Sequence, residues 1–492
     1  MCDTAIFKSS NLQIFKSSNF QTTPLIKSIS GIRGTIGGVA GEGLTPLDLL
    51  KFTSAYAEWL RSENPADTRL KVVVGRDART SGHVVSALVI STLQSCGVDV
   101  YNIGLASTPT TEFAVTYKQA HGGIIITASH NPGQWNALKL LNGRGEFLSK
   151  QDGETLLQLA ERGNFSYAEV DQLGKELMDF RLQRRHINAV LELSLVNVEA
   201  IKQAKLHVVV DGINSVGGKA IPRLLESLGV ERITLLNCKP NGQFAHNPEP
   251  LPEHLSEISQ IVAEQGAHLG IVVDPDVDRL ALVCEDGSMF GEEYTLVAVA
   301  DYVLSFFAGN TCSNLSSSRA LRDVTESRGG TYFATAVGEV NVVEKMKEVD
   351  AIVGGEGNGG VIFPALHYGR DALVGVALFL SHYVHQNKKM SELRALLPSY
   401  FMSKNKLSFA PEVNVDAVLS GIKAAYASER ITDVDGVRVD FDAAKEWVHL
   451  RKSNTEPVVR VYSESGSQKK ADALAQKVVA TMQDLAAAQS PK

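Results

Sequence analysis

The chain has 492 residues, which at about 150 residues per domain predicts roughly three domains and excludes a lone small binding module. Hydrophobic residues make up 44% and charged residues 21%, so neither wholesale disorder nor a collagen-like repeat fits. Lys plus Arg number 48 against 55 for Asp plus Glu, a net charge of -7, which lacks the basic excess of a general nucleic-acid binder.

The chain opens with a near-direct repeat, Ile6-Phe7-Lys8-Ser9-Ser10-Asn11 and then Ile14-Phe15-Lys16-Ser17-Ser18-Asn19, without the apolar centre and cleavage site of a signal peptide. Residues 1–23 are expected to be a flexible extension. From there a strand, helix, glycine and strand can be read three times. Lys71 to Val74 starts the first copy, with a helix from Val84 to Gln94, Gly97-Val98 and a run to Ile103. Leu206 to Val210 starts the second, with a helix from Lys219 to Leu228, Gly229-Val230 and Ile233 to Leu236. The third is weaker and is read from Leu315, through a helix at Arg319 to Arg328, to Gly329-Gly330 and Tyr332. These lengths predict βαβ units with largely parallel sheets. The last ninety residues depart from this: a helix at Asp416 to Ala427, a turn at Asp435-Gly436, two strands flanking Arg451 to Pro457, and an alanine-rich helix from Gln468 to Ala488.

The expected organisation is α/β: three homologous mixed-sheet domains at 24–165, 185–305 and 306–402, then a smaller α+β domain at 403–492, with a central cleft. Cys2, Cys96, Cys238, Cys284 and Cys312 form no CxxC pair and read as buried thiols in a reducing compartment. The longest apolar runs, Leu296 to Phe307 and Ala372 to Val384, are shorter than the roughly 20 residues of a membrane span.

Each copy reaches a third strand that breaks into a polar loop and resumes as an apolar run. Gly123 to Ile126 leads to Thr127-Ala128-Ser129-His130-Asn131-Pro132; Gly270 to Val273 leads to Asp274-Pro275-Asp276-Val277-Asp278-Arg279; Ala351 to Val353 leads to Gly354-Gly355-Glu356-Gly357-Asn358-Gly359-Gly360. Ligands in α/β folds collect beyond the carboxyl ends of strands, so three equivalent loops predict one shared site.

Ser129, at the end of a buried strand, is placed as a covalent nucleophile, although Ser-x-Asn-Pro is also good turn chemistry. Asp274, Asp276 and Asp278 alternate after an apolar strand, and in extended backbone would project to one side, where a hard cation such as Mg²⁺ relieves their repulsion; a solvated acidic turn is the alternative. Glu356 and Asn358 between glycines suit sugar hydroxyls, or mark mere flexibility. Arg451-Lys452-Ser453-Asn454-Thr455, with Arg460, has the composition of a phosphate nest, or of an exposed polar turn. Arg33 between glycines is a further candidate for phosphate, and Gly75-Arg76-Asp77 reads as a structural turn with surface ion pairs.

In this order the motifs resemble the α-D-phosphohexomutases, from about residue 24 to the end. The resemblance implies that Ser129 carries the phosphoryl group, that Ser129, Asp274, Asp276 and Asp278 hold one Mg²⁺, and that Arg279 and His130 lie beside the transferring group. It further implies that Lys139 is a general acid/base, that Glu356 and Asn358 bind sugar, and that Arg451, Ser453, Asn454, Thr455, Arg460 and Arg33 bind phosphate. The implied reaction interconverts hexose 6-phosphate and hexose 1-phosphate through a 1,6-bisphosphate, which also acts as activator. The expected partner is a hexose phosphate, with neither nucleic acid nor membrane, in a cytoplasmic monomer or homodimer.

Many relatives read Gly-Glu-x-Ser-Gly-His in the sugar loop, whereas Asn358 stands here for the serine and Gly360 for the histidine. With Trp135 to Lys139, this form is most similar to archaeal-type phosphoglucosamine mutases, implying glucosamine phosphate as substrate. Mannose or glucose phosphate is the alternative within the family. Outside it, Asp274-Pro275-Asp276 resembles the aspartyl nucleophile of haloacid-dehalogenase phosphatases, and a non-catalytic sugar-phosphate sensor is a third reading.

Overall fold

A computed structural model of the chain describes residues 25–28, 31–67, 69–410, 412–452 and 458–489. The expected N-terminal extension with its duplicated hexapeptide, and the candidates Ser453, Asn454 and Thr455, lie outside the described residues.

Lys71–Arg76 is a β-branched run whose centre is buried, as a strand covered on both faces requires. It runs parallel to Asp99–Leu105 on one side and Gly122–Ile126 on the other. Trp135–Leu141 then returns antiparallel to Gly122–Ile126, and Gly31–Thr35 and Ile26–Ser28 extend that edge. The opposite edge ends on Glu176–Met178, so the first sheet draws on chain beyond residue 165. Helix Pro46–Glu63 covers this sheet; Pro46 at its first turn and a reciprocal Thr45–Asp48 capping box fix where it starts.

The second and third units repeat a shorter plan. The second sheet orders Leu280–Cys284, Leu269–Val273, His207–Asp211 and Arg232–Leu236; the third orders Gly360–Ile362, Ala351–Glu356, Asn310–Asn314 and Tyr332–Thr335. In each, the strand before the polar loop is parallel to its inner neighbour and antiparallel to the strand after the loop. The Ser129, Asp274 and Glu356 loops thus occupy equivalent positions.

The strand opening the third unit lies before Leu315, at Asn310–Asn314, five residues upstream of the sequence reading. Its side chains are mostly polar yet buried, and they are paired internally: Thr311 with Thr325 at 2.6 Å, Ser313 with Tyr332 at 2.9 Å, and Asn314 with Glu356 at 2.8 Å. Hydrogen bonds replace the apolar packing that would have marked it.

The two long apolar runs form helices Glu292–Phe306 and Ala372–Gln386, which pack against each other in the largest hydrophobic core. Among the described residues no helix is long and apolar enough to cross a membrane. The C-terminal unit is a five-stranded antiparallel sheet backed by helices Val415–Ala425 and Gln468–Ala487. It docks on the third unit through His449 to Ser316 at 2.9 Å, Asp435 to the Val337 N–H at 2.8 Å, and Glu464 to the Arg319 N–H at 2.8 Å.

Candidate active site

The three loops and the C-terminal sheet line one cavity of about 690 Å³. Ser129 lies at its wall, 4% exposed, on backbone with φ +48, a region that L-residues other than Asn and Asp rarely adopt. The turn is held from behind. Its N–H donates to Thr127 Oγ1 at 3.0 Å, and the Arg79 guanidinium, itself buried and paired with Asp77 at 3.0 Å, donates to the carbonyls of Ser129, Asn131 and Pro132. Asp77 also accepts from Thr127 Oγ1 at 2.7 Å, which closes the network. Gly75 and Arg76 close strand Lys71–Arg76 and Asp77 is fully buried in this network, so the expected turn with surface ion pairs is corrected, and Arg79 is the residue beyond it that the sequence reading missed.

Ser129 Oγ donates to Asp274 Oδ2 at 2.8 Å across 145 residues of sequence. Asp274, Asp276 and Asp278 converge, but not as an extended strand: the Val277 N–H bonds the Asp274 carbonyl at 3.1 Å and Val277 sits at φ +65. A tight turn, not period-two alternation, brings the carboxylates to one side, so the geometric reason given by the sequence is corrected while the convergence stands. All three are fully buried, and their ligand oxygens lie within 4.8 Å of one another. Asp274 Oδ1 accepts from the backbone N–H groups of Asp278 and Arg279 at 3.1 and 3.2 Å. Asp276 Oδ2 takes Thr108 Oγ1 at 2.6 Å and Lys139 Nζ at 2.7 Å; Asp278 Oδ2 takes Arg370 Nη2 at 2.7 Å. Asp276 Oδ1 and Asp278 Oδ1 are buried with no hydrogen-bond partner. An all-oxygen set with two orphaned carboxylate oxygens beside a serine hydroxyl fits a hard divalent cation of the Mg²⁺ type.

Burial, then the neighbouring Asp278 and Asp276, push the Asp274 carboxyl well above its ordinary value. Burial opposes ionisation of Asp276 and Asp278 too, but Lys139 in the first case and Arg370 in the second hold them below the usual carboxylate range. Burial likewise works against the charge on Lys139, yet Asp276 and Asp278 more than offset it and raise its pKa. Lys139 is thus held as an ammonium between the two aspartates. His130 lines the cavity, and burial followed by Arg279 and Arg33 pushes its imidazole down to about 3, leaving it neutral. Arg279 lies 3.6 Å from Glu249 and 4.0 Å from Asp278; Arg33 donates to Asn131 at 2.9 Å. Both line the cavity.

The sugar loop is tied down more than its glycines suggest. Glu356 accepts from Asn314 at 2.8 Å, the Gly338 N–H at 3.1 Å and Arg370 at 2.6 Å, while Asn358 faces the cavity. Arg370, buried, pairs at once with Glu356, Glu339 and Asp278, at 2.6, 3.0 and 2.7 Å. It occupies the space beside Gly360: a Cβ there would meet Arg370 Cδ at 2.3 Å. In this chain an arginine stem from ten residues downstream fills what a side chain at 360 would claim. Sequence reasoning missed Arg370, and the Gly-Arg-Asp after the loop was the available signal.

On the C-terminal sheet Arg451 and Arg460 are register partners on adjacent strands, and both face the cavity with Lys404 and Tyr462. Arg451 pairs with Asp435 at 2.8 Å and is 26% exposed on its side chain, so it is accessible to an anion.

Four domain families match in succession: phosphoglucomutase/phosphomannomutase α/β/α domain I at residues 26–166, domain II at 184–287, domain III at 292–400, and the C-terminal domain at 410–481. A Thermococcus kodakarensis protein named phosphoglucomutase/phosphomannomutase is 36% identical over 89% of this chain and 95% of its own length. A Methanopyrus kandleri protein named "probable phosphoglucosamine mutase" is 32% identical over 90% and 94%. The crystal structure of a phosphoglucomutase/phosphomannomutase family protein from Burkholderia thailandensis superposes with a TM-score of 0.80 at 25% identity, covering 94% of this chain and 97% of that one. With a serine hydroxyl set against an aspartate turn at one end of a four-walled cavity and two arginines at the other, and with matches running nearly end to end, the chain belongs to the phosphoglucomutase/phosphomannomutase family.

Proposed function

We propose that this protein is a phosphohexomutase that moves a phosphoryl group between O6 and O1 of a hexose phosphate by way of phospho-Ser129, with glucosamine phosphate as the sugar. The observation that carries the reading is the 2.8 Å contact of Ser129 Oγ with the Asp274 turn, inside a cavity whose far wall is cationic.

Phospho-Ser129 gives its PO₃ unit to the free hydroxyl of a bound monophosphate, forming a bisphosphate. The sugar then turns end for end, and its other phosphoryl group returns to Ser129. Phosphoryl transfer depends mainly on positioning and charge stabilisation, and the residues divide on that line. Arg451 and Arg460 grip the phosphate that is not reacting and accept either end of the sugar. Glu356 and Asn358 hold the ring hydroxyls. Arg279 and Arg33 flank the moving group, and neutral His130 offers a hydrogen bond without adding charge. The proton lost by the attacking hydroxyl ends on the oxygen released on Ser129; Lys139, an ammonium beside Asp276 and Asp278, donates to that oxygen and is reprotonated from the hydroxyl. Asp274, Asp276 and Asp278 would hold a Mg²⁺, which when bound would supply positive charge to offset that of the transferring group. The four described cysteines are unpaired, in keeping with a reducing, cytoplasmic setting.

The substrate assignment rests on names that pull two ways, toward glucose and mannose phosphates in the Thermococcus protein and toward glucosamine phosphate in the Methanopyrus protein. Phosphorus NMR of the purified enzyme with the three sugar 1-phosphates decides it. We expect kcat/KM for glucosamine phosphate to exceed the others by at least about tenfold, a size that one added polar contact supplies. A smaller margin would leave the mutase reading intact and reject the sugar.

The cycle also predicts that enzyme stripped of its serine phosphate is idle with monophosphate alone and restarts when a catalytic amount of hexose 1,6-bisphosphate is added. Full activity in stripped enzyme without bisphosphate contradicts the phosphoserine cycle.

A further inference from the structure

One buried cluster beside the active site plays no part in this chemistry. His186 lies on helix Leu182–Leu191, while His367 and Asp371 follow the sugar loop. Yet both Nε2 atoms face the same oxygen: His186 Nε2 is 3.0 Å from Asp371 Oδ2 and His367 Nε2 is 3.4 Å from it, with all three atoms within 4.8 Å of one another. The other Asp371 oxygen accepts the Leu373 N–H at 2.8 Å and caps helix Ala372–Gln386, which fixes the direction of Oδ2. Each ring turns its Nδ1 the other way, His186 to Thr110 Oγ1 at 3.0 Å and His367 to Glu112 Oε2 at 3.5 Å.

Glu112 is 1% exposed, and neither of its carboxylate oxygens has a hydrogen-bond partner. Room for it is made by Gly369, where a Cβ would lie 2.0 Å from Oε2. Among the described residues no lysine or arginine forms an ion pair with Glu112 or Asp371. The cluster thus brings two imidazole nitrogens and one carboxylate oxygen to a single buried point, with a further unpartnered carboxylate, Glu112, behind one of the rings. A cation there would take the place of the protons that the two Nε2 atoms share with Asp371 and would offset the buried carboxylates.

We infer that His186 Nε2, His367 Nε2 and Asp371 Oδ2 bind one divalent cation of zinc-like softness, separate from the Asp274 turn, with Thr110 and Glu112 orienting the two imidazoles. Two imidazoles and a carboxylate suit zinc, whereas Mg²⁺ and Ca²⁺ take oxygen sets. Ligand atoms bound tetrahedrally at about 2.0–2.1 Å stand about 3.3 Å apart, and the measured 3.0 and 3.4 Å separations bracket that value. A hydroxyl or carboxylate behind each ligating histidine is the usual outer support. The ion clasps three units: Thr110 and Glu112 from helix Thr108–Tyr117 of the first, His186 at the start of the second, and the Arg370–Asp371 segment of the third.

The test uses the full chain in saturating magnesium, titrated with zinc chloride against a chromophoric chelator. Wild type should bind one zinc with a Kd below about 1 µM. Asp276→Asn should keep that zinc, since the Asp274 turn is not the site. Glu112→Gln, which retains all three ligands and removes the carboxylate charge behind His367, should weaken it by about tenfold, and His367→Gln by at least about 100-fold. Zinc should raise the unfolding temperature of wild type and Asp276→Asn but not of His367→Gln, and X-ray absorption should report two imidazoles. No zinc bound by wild type at tens of micromolar, meaning that protons neutralise the cluster, would overturn the inference. So would zinc retained by a folded His186→Ala/His367→Gln double variant, or lost with Asp276→Asn.

Discussion

Ser129→Ala lowers kcat by about 10⁴-fold or more while the protein folds and binds sugar phosphate as before. The magnitude follows from the role. A nucleophile that carries the migrating group has no substitute nearby, and deleting such a group from a catalytic set leaves only the contribution of binding and charge stabilisation. The turn should survive, because its supports do not involve the hydroxyl: Arg79 holds carbonyls and Thr127 holds the Ser129 N–H. Alanine must still adopt φ +48 there, an arrangement that costs on the order of 1 kcal/mol more than glycine would. The measurement is single-turnover kinetics with mass mapping of the covalent phosphate. Wild type should carry it on Ser129 and the variant nowhere. Phosphate on Asp274 instead would move the nucleophile to the carboxylate and favour the phosphatase reading; isomerisation at the wild-type rate would remove Ser129 from the mechanism. A variant that binds normally beside a wild type that turns nothing over would make the protein a sensor.

What the sequence could reveal here is set by how local each feature is. Ser129 and the aspartate turn were legible because each loop directly follows a β-branched buried strand, and the loops fall at the same point of a repeated unit. Their mutual contact was legible only through that repetition, since 145 residues separate them. The strand Asn310–Asn314 was hidden because its buried face is satisfied by hydrogen bonds, so no apolar alternation marks it. Positive φ at Ser129 and Val277 carries no residue-type signal, because neither position is glycine or asparagine. Arg79 and Arg370 escaped notice for a different reason. Each works by reaching across the fold to carbonyls or carboxylates, and an arginine in a polar stretch looks the same whether it reaches inward or out to water.

Arg370 carries the second large effect. Arg370→Ala leaves Glu356, Glu339 and Asp278 buried with their shared cation gone. Removing one partner of a buried charged set costs about 3–5 kcal/mol, far more than a surface pair contributes, because the remaining charges lose their compensation in a medium that cannot solvate them. Unfolding by urea should therefore begin at clearly lower concentration in the variant. Activity should fall by about 10²-fold, since Asp278 and the sugar loop both lose the group that aligns them. Gly360→Ala tests the same claim from the opposite side. Its Cβ would sit 2.3 Å from Arg370 Cδ, so the arginine must leave its place while remaining in the sequence. If displacement of Arg370 is how Gly360→Ala acts, the two losses do not add: the double variant should be no worse than Arg370→Ala alone, giving a coupling energy close to the whole effect of Gly360→Ala. Additive losses would mean that Gly360 matters for some reason other than the space it leaves to the arginine. In that event the absence of a side chain at 360 would need an account centred on the sugar itself.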